Sequence, residues 1–448
     1  MKIEAQHDVE QRLPGQNLLL ALLRGPKEEQ DRAEILSLLR QVNWPRFFGN
    51  TSEDLYPYVA FALEPYIALL EEAPEIERLF KARRLTAVQN LLLRHELGRA
   101  LEALRQSGLL ALALKGVVMA YTAYPDPSLR PMTDLDLLVP PGKREDAICV
   151  LRKLGYEYPE SLLATHRDHI WRLGPNQEFA PPLRLRSSSV LLEVHSELEC
   201  SEPAFPISAH ELWCRSVAVD LRGLRVRTLC PEDFLFHLCL HQSRHHRFEK
   251  GLLPLVDLKL LLESRSDWNW AGIAERSLRC GFANWMYLTL EAARDLVGAP
   301  VPDSFLHALP SPRDLSQLRR LAEEQVWSAR AKRDLIPMFL PTLFAERSWQ
   351  NRARMFVTRM RLVSQGELHS ERTVARLAER ARLTLRRLLA TLRSRIPNYV
   401  AAWKTGNLKF RAIGRSAMLL RKANTLFRLA EQDTVGAPRK PVGERVRL

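Results

Sequence analysis

The chain has 448 residues, of which 46% are hydrophobic, and it has a formal net charge of +14. This length exceeds the usual size of one hydrophobic core, so we expect two or more structural units. No stretch approaches the roughly 20 consecutive apolar residues that cross a bilayer, which excludes a transmembrane helix. The sequence shows no signal-peptide pattern, and its six cysteines have no Cys-x-x-Cys spacing. We therefore expect a cytoplasmic protein without a zinc ribbon or a disulfide framework.

Apolar residues recur at helical spacing from about residue 15 to residue 100, as in Ala33, Leu36 and Leu39. This periodicity predicts an N-terminal helical region over residues 1–100. The pattern changes over residues 101–225, where short apolar runs alternate with glycines and prolines. The predicted elements there are a strand at 109–114, a helix at 117–124, a strand at 133–139, a helix ending near Gly155, and a hairpin formed by 183–186 and 190–195.

Helical periodicity returns after Pro231, which stands at a first helical position with acidic residues behind it. We predict a helical region packing on the core over residues 226–310, a basic helical region over 311–433, and a disordered tail over 434–448. The fold class predicted for the whole chain is α+β. A small mixed β-sheet core is flanked by N-terminal and C-terminal helical regions.

The positive charge is concentrated near the C-terminus. Residues 311–448 contain 30 Lys and Arg against 11 Asp and Glu, which gives +19 there and −5 for residues 1–310. Such a region can contact a polyanion, either nucleic acid or anionic lipid. An Arg-rich helical surface that faces solvent has the same composition, since Arg is a good helix former. Both interpretations stay open.

Lys115 and Gly116 stand where the first predicted strand turns into a helix. The N–H groups of a first helical turn attract phosphate, a glycine lets phosphate approach the backbone, and a lysine adds a formal charge. A strand-to-helix turn with a surface lysine has the same sequence. Arg130, four positions before Asp134, can likewise meet a triphosphate or clamp the carboxylates, or it can form a buried structural salt bridge.

Asp134 and Asp136 alternate with Leu135, Leu137 and Val139 along the second predicted strand. Side chains at positions i and i+2 of a strand lie on one face, about 6.6 Å apart, so both carboxylates face the same way. Two like charges at this distance favour a divalent cation between them. The alternative is an acidic pair in solvent.

Glu193 lies on the second arm of the predicted hairpin and shares a face with Leu191 and His195. A third carboxylate on an adjacent strand can act as a general base or as a ligand of a second metal ion. A solvent-facing glutamate on an edge strand is the alternative.

His237, His241 and His245 recur every four residues along one predicted helix. Zinc binding by this row has little support, because the Glu of a His-Glu-x-x-His site is missing. We expect instead that His241 packs toward the predicted carboxylates, while His245 and His246 join a basic rim.

The order of these parts closely resembles the bacterial uncharacterised nucleotidyltransferase family of the polymerase-β superfold. The resemblance covers roughly residues 80–300. It rests on the Lys115–Gly116 turn, the run from Arg130 to Val139, the 192–195 segment, and the later segments 238–241 and 255–258. The wider superfamily usually has Gly-Ser at the turn and Asp at the third carboxylate position.

The resemblance implies that Asp134, Asp136 and Glu193 are catalytic metal ligands and that Lys115 and Gly116 bind the triphosphate. From their positions in the sequence, we add Arg130 and His241 as further nucleotide contacts, and His241 can hydrogen-bond the acceptor instead. The implied reaction transfers a nucleoside monophosphate from an NTP to an acceptor hydroxyl, releases pyrophosphate, and needs Mg²⁺ or Mn²⁺. The acceptor stays open among a sugar or polysaccharide precursor, RNA, a small metabolite and a protein. Two alternatives remain: an inactive nucleotide-binding scaffold of the same fold, and a basic helical nucleic-acid-binding protein.

Overall fold

The computed structural model describes residues 13–70, 74–158, 182–186, 190–198, 207, 209–309 and 315–327. In these residues, fourteen α-helices surround a five-stranded mixed sheet and a separate two-stranded ribbon. The α+β class and the small mixed sheet flanked by helices are thereby confirmed. Most of the predicted basic region over 311–433, and the whole predicted tail over 434–448, lie outside the described residues.

Five helices precede the sheet: α1 (Pro14–Arg24), α2 (Glu29–Gln41), α3 (Trp44–Asn50), α4 (Tyr56–Leu63) and α5 (Glu77–Gln106). Prolines stand in the first turns of α1, α3 and α4, where a missing N–H costs no helical hydrogen bond. Short 3₁₀ turns at Glu53–Leu55, Glu64–Leu69 and Pro74–Ile76 join the later helices. The predicted helical character of this part is confirmed.

The sheet consists of β1 (Leu112–Leu114), β2 (Asp134–Leu138), β3 (Tyr156–Glu157), β4 (Leu183–Leu185) and β5 (Leu191–His195), in the order β1-β2-β5-β4-β3. Strands β2 and β5 pair in parallel, and the other neighbours are antiparallel. Helix α6 (Lys115–Thr122) follows β1 directly, and α7 (Arg144–Lys153) follows β2. The predicted strand at 109–114 is shorter in the structure, whereas the predicted pairing of the hairpin strands is confirmed.

Helix α8 (Ala209–Arg215) leads into a hairpin of β6 (Val217–Asp220) and β7 (Arg225–Thr228), which is not among the elements predicted from the sequence. The Thr228 hydroxyl donates to the Ala113 carbonyl over 2.7 Å and ties this hairpin to β1.

The remaining helices are α9 (Pro231–Leu240), α10 (Leu253–Glu263), α11 (Trp270–Arg279), α12 (Ala283–Val297), α13 (Asp303–Ala308) and α14 (Leu315–Trp327). A π-helix at His241–His245 extends α9. Buried apolar residues of the early helices, the sheet and the later helices form one contiguous cluster from Leu18 to Val326. No helix of the described residues is long and apolar enough to traverse a bilayer.

Side chains of α1 and α10 form hydrogen bonds with the C-terminal carbonyls of other helices and so connect the N-terminal helices to the later ones. The Lys259 ammonium on α10 donates to the carbonyls of Leu23 and Arg24 at the end of α1, over 2.8 and 2.7 Å. The Arg24 guanidinium in turn donates to the carbonyls of Asp295 and Leu296 at the end of α12. Helix C-termini leave carbonyls without intrahelical partners, so these two cations satisfy carbonyl groups at the ends of α1 and α12.

Candidate active site

The parallel pairing of β2 with β5 brings three carboxylates to one face of the sheet. Asp136 lies directly opposite Glu193, and Asp134 lies opposite Leu191. The intervening Leu135 and Leu137 are fully buried on the other face, as the alternation of a strand requires. The predicted third carboxylate is therefore on the strand adjacent to the Asp134 and Asp136 pair.

Asp136 is the centre of the polar contacts on this face. Its Oδ1 accepts from the Lys115 ammonium over 2.7 Å and lies 2.8 Å from Nε2 of His195. The same imidazole nitrogen lies 3.5 Å from Oε2 of Glu193. The Asp136 side chain is only 6% exposed. Because a buried carboxylate is costly unless it is paired, the lysine and the histidine account for its presence in the core.

Ligand atoms of Asp136, Glu193 and His195 all lie within 4.8 Å of one another, a spacing that suits a single metal ion. Two carboxylates and an imidazole are donors that divalent ions accept, so the residues present fit a metal centre. Asp134, which the sequence predicted as a ligand, is not a member of this group of three.

The environment separates the acidities of the three carboxyl groups. Burial opposes charge on Asp136, yet Lys115 and His195 hold its pKa well below the usual range. Burial and the charge of Asp136 raise the pKa of Glu193 and also that of Asp134. Asp136 is therefore the carboxylate that stays ionised, whereas Glu193 holds a proton more readily than a free glutamate.

Lys115 adopts a left-handed backbone conformation, with φ of 49°, at the junction of β1 and α6. This region favours glycine, and a residue with a side chain is held there at a cost of about 1–3 kcal/mol. Burial lowers the pKa of Lys115, but the charges of Asp136 and Glu193 outweigh it and raise the pKa. The strained turn thus places an ammonium group, whose pKa is raised, beside the carboxylates.

A family model described as uncharacterised nucleotidyltransferase matches residues 54–298. The chain belongs to this family. The match contains the sheet, all three carboxylates and the Lys115 turn. Comparisons with curated proteins and with solved structures gave no match.

Arg130 forms a buried ion pair with Asp257. Its Nε and Nη2 donate to the two oxygens of Asp257 on α10 over 2.9 and 2.7 Å, and the Tyr124 hydroxyl donates to the same carboxylate over 2.8 Å. The side chains of Arg130 and Asp257 are 13% and 3% exposed. Of the two interpretations that the sequence left open for Arg130, this geometry corresponds to the salt bridge.

Gly116 leaves room for that ion pair. A Cβ at position 116 would lie 2.5 Å from Nη1 of Arg130 and 3.2 Å from Sδ of Met132. We expect Gly116→Ala to lower the free energy of unfolding by about 1–3 kcal/mol, because Asp257 prevents the guanidinium from moving aside. Urea denaturation measures the change.

Gly49→Ala is the matched control for that prediction. Nothing lies within 4 Å of a Cβ at position 49, which is on α3. This control is expected to be neutral or to stabilise the protein by up to about 1 kcal/mol. Equal stability of the two variants would contradict a clamped Arg130.

The loop before β2 is held in place by α5. The Asn90 amide donates to the carbonyls of Pro127 and Arg130 over 2.6 and 2.9 Å, and the Tyr121 hydroxyl donates to the Asn90 carbonyl. Asp126 caps the short 3₁₀ turn Pro127–Leu129 through the Ser128 N–H. Asp134 therefore enters its strand from a loop with fixed geometry.

His237 on α9 is 2% exposed, and in the described part of the chain neither of its ring nitrogens has a hydrogen-bond partner. Burial and the nearby charge of Lys115 lower its pKa from 6.5 to about 3. Between these two pH values the unfolded chain binds more protons at this residue, so stability falls as the pH falls through the window.

We expect His237→Phe to remove this pH dependence. As the pH is lowered from 6 to 4, the wild type should lose stability relative to the variant, by up to about 1.4 kcal/mol per pH unit. Chemical denaturation at several pH values gives the two curves. The control His95→Gln changes an exposed histidine, and its unfolding free energy should depend on pH as that of the wild type does. Parallel curves for His237→Phe and the wild type would show that His237 does not cause the pH dependence.

The predicted row of histidines is reshaped by the π-helix. His246 N–H donates to the His241 carbonyl over 3.0 Å, and the Nε2 atoms of these two residues lie 3.1 Å apart. The ring centroids of His237 and His241 lie 6.2 Å apart. Nucleotide binding by His241 stays a prediction.

His195 and Asp257 are not among the metal ligands or nucleotide contacts predicted from the sequence. A signal for His195 was present, since it alternates with Glu193 and shares its face of the strand. No local signal connects Asp257 to Arg130, because the two residues are brought together only by the packing of α10 on the loop before β2.

Proposed function

We propose that the protein transfers a nucleoside monophosphate from an NTP to an acceptor hydroxyl and releases pyrophosphate. The observation that carries this proposal is the register of the parallel strands, which sets Asp136 beside Glu193 with the Lys115 ammonium on the same carboxylate. Family membership supports it, because nucleotidyltransferases act on nucleoside triphosphates.

Asp134, Asp136 and Glu193 would hold the metal ion or ions, and Lys115 with the Gly116 backbone would bind the triphosphate at the first turn of α6. A divalent ion bound there, Mg²⁺ or Mn²⁺, neutralises phosphate charge and lowers the pKa of a coordinated hydroxyl. Lys115 contributes a positive charge, because the neighbouring carboxylates raise the pKa of its ammonium group.

In the proposed reaction, the acceptor oxygen attacks the α-phosphorus and the bond from that phosphorus to the bridging oxygen breaks. Pyrophosphate takes the bonding electrons as it leaves. Glu193 accepts the acceptor proton, a role that suits a carboxyl group whose pKa is raised toward neutral pH. Asp136, whose pKa is lowered, stays charged throughout.

The organisation predicted from the sequence, with boundaries at residues 100, 225, 310 and 433, is part of the proposal, as is a cytoplasmic location. The acceptor is a sugar or polysaccharide precursor, RNA, a small metabolite or a protein. The positive charge of residues 311–448 is proposed to contact a polyanion.

The test is to incubate the protein with each α-labelled NTP and a cell extract, follow pyrophosphate release, and identify the labelled product. Asp134→Ala should abolish both signals. Asp146→Ala is the matched control, because Asp146 is an exposed aspartate on α7 that pairs only with Lys143 in the described residues. Equal turnover in Asp134→Ala and wild type would refute the proposal.

An inactive nucleotide-binding scaffold is the second candidate, favoured by glutamate at position 193 where the superfamily usually has aspartate. An error of about 1 Å in a reacting group can lower a rate by about 10²-fold. Tight NTP binding without turnover would support the scaffold. Salt-sensitive nucleic-acid binding that is lost when the basic residues of 311–448 are neutralised would support a nucleic-acid-binding protein instead.

A further inference from the structure

His195 belongs to the same face of β5 as Glu193 and reaches both carboxylates that the metal centre would use. Its Nε2 lies 2.8 Å from Oδ1 of Asp136 and 3.5 Å from Oε2 of Glu193. The imidazole is 23% exposed, so it is accessible to solvent while its position is fixed by the strand.

The distances from Nε2 of His195 to the two carboxylates are typical of neighbouring ligands on one metal ion. Two donors at about 2.1 Å from a metal ion and at right angles to each other lie about 3 Å apart. Both distances from Nε2 are close to this value, and all three ligand atoms lie within 4.8 Å of one another. Nε2 of His195, which lies near both the Asp136 and the Glu193 carboxylate, is therefore placed as a third ligand of the same ion would be.

The hydrogen bond to Asp136 does not by itself account for the histidine. Oδ1 of Asp136 already accepts from the Lys115 ammonium over 2.7 Å, so the buried carboxylate has a charged partner without His195. Asp134 lies opposite Leu191 and is not in the converging group. The imidazole therefore supplies a third donor to an ion held by Asp136 and Glu193.

Donor chemistry then determines which ion the centre prefers. Mg²⁺ takes oxygen ligands almost exclusively, whereas imidazole nitrogen is a good ligand for divalent transition-metal ions. We infer that Nε2 of His195 coordinates the metal ion directly, so that this centre selects Mn²⁺ over Mg²⁺. The inference rests on the proposed function, since it specifies the ion of the same site.

Direct metal binding tests the inference without an activity assay. Titration of the full chain with Mn²⁺, followed by the electron paramagnetic resonance signal of the free ion, gives the Mn²⁺ affinity, and competition gives the Mg²⁺ affinity. The bound Mn²⁺ should show ¹⁴N hyperfine coupling from a coordinated imidazole. This spectroscopic measurement needs only the wild-type protein.

His195→Gln is the informative variant, because its amide can still hydrogen-bond Asp136 but offers an oxygen ligand. The ratio of Mn²⁺ to Mg²⁺ affinity should fall at least about tenfold, and the ¹⁴N coupling should disappear. His95→Gln, at an exposed position on α5, should change neither quantity.

Bound Mn²⁺ without ¹⁴N coupling in the wild type would overturn the inference, as would an unchanged affinity ratio in His195→Gln. Nucleotidyl transfer that persists with either result would leave the proposed function standing. Conversely, ¹⁴N-coupled Mn²⁺ in a protein that turns over no NTP would support the metal centre and refute only the transfer reaction.

Discussion

Asp136→Asn should lower nucleotidyl transfer about a thousandfold or more while the protein remains folded. The change removes the charge of the carboxylate that faces Glu193, Lys115 and His195 together. Losing one preorganised electrostatic contact from an active site lowers rates by about 10²–10³, and here the same group is also a proposed metal ligand. Steady-state pyrophosphate release with saturating NTP measures the effect.

The same variant has a defined effect on stability. Because Lys115 and His195 hold the pKa of Asp136 below its usual range, the ionised form stabilises the fold. We expect Asp136→Asn to lower the free energy of unfolding by about 2 kcal/mol. This is less than the roughly 3–5 kcal/mol for breaking an isolated buried pair, because Glu193 and Asp134 still face the Lys115 ammonium.

A double variant separates the two effects. Adding Lys115→Met to Asp136→Asn removes the cation that the first change leaves without its closest partner, so stability should return toward the wild type. Transfer activity should stay absent. Recovery of activity in the double variant, or retention of more than a tenth of the wild-type rate in Asp136→Asn, would contradict a catalytic role for this carboxylate.

Asp257→Asn should lower the free energy of unfolding by about 3–5 kcal/mol, which is the largest loss of stability that we predict. The Asp257 carboxylate is 3% exposed and accepts from both Arg130 and Tyr124. Removing its charge leaves the buried guanidinium uncompensated. Urea denaturation measures the loss, and Asp303→Asn provides the control, because the 81% exposed Asp303 pairs with Arg294 at the surface.

Arg130→Lys distinguishes the structural from the nucleotide-binding interpretation of Arg130. A lysine keeps the charge but cannot make the bidentate contact with Asp257. If the ion pair is the main role of Arg130, this variant should lose stability while its NTP affinity changes less than about threefold. An unchanged stability with NTP binding weakened tenfold or more would show that Arg130 binds the triphosphate instead.

The parts of the site that the sequence predicted are those determined by local periodicity. The alternation around Asp134 and Asp136 places both on one face of a strand, and the alternation around Glu193 does the same on the next hairpin. The apolar runs also predicted strands in this region, and the nucleotidyltransferase core inferred from the resemblance contained a small mixed sheet, which the structure confirms. These features depend on a few neighbouring residues, so a single sequence contains them.

The parts that could not be predicted depend on contacts between distant segments. The register that sets Asp136 opposite Glu193 is fixed by the packing of two strands. The partner of Arg130 is on α10, and the space that Gly116 provides is needed only because that partner holds the guanidinium. The left-handed conformation of Lys115 was also hidden, since a residue other than glycine gives no sequence signal for it.

The parallel pairing of β2 with β5 has a consequence for the order of folding. Parallel neighbours cannot be joined by a tight turn, so this contact closes a long segment of chain that includes β3 and β4. Such non-local closures are slow, and helices form well before them. A chain with native helices but an open sheet would keep Asp136 and Glu193 apart and would have no metal centre. A metal ion that binds only the closed sheet would therefore stabilise the folded state by mass action. The free energy of unfolding would then increase with the concentration of the ion.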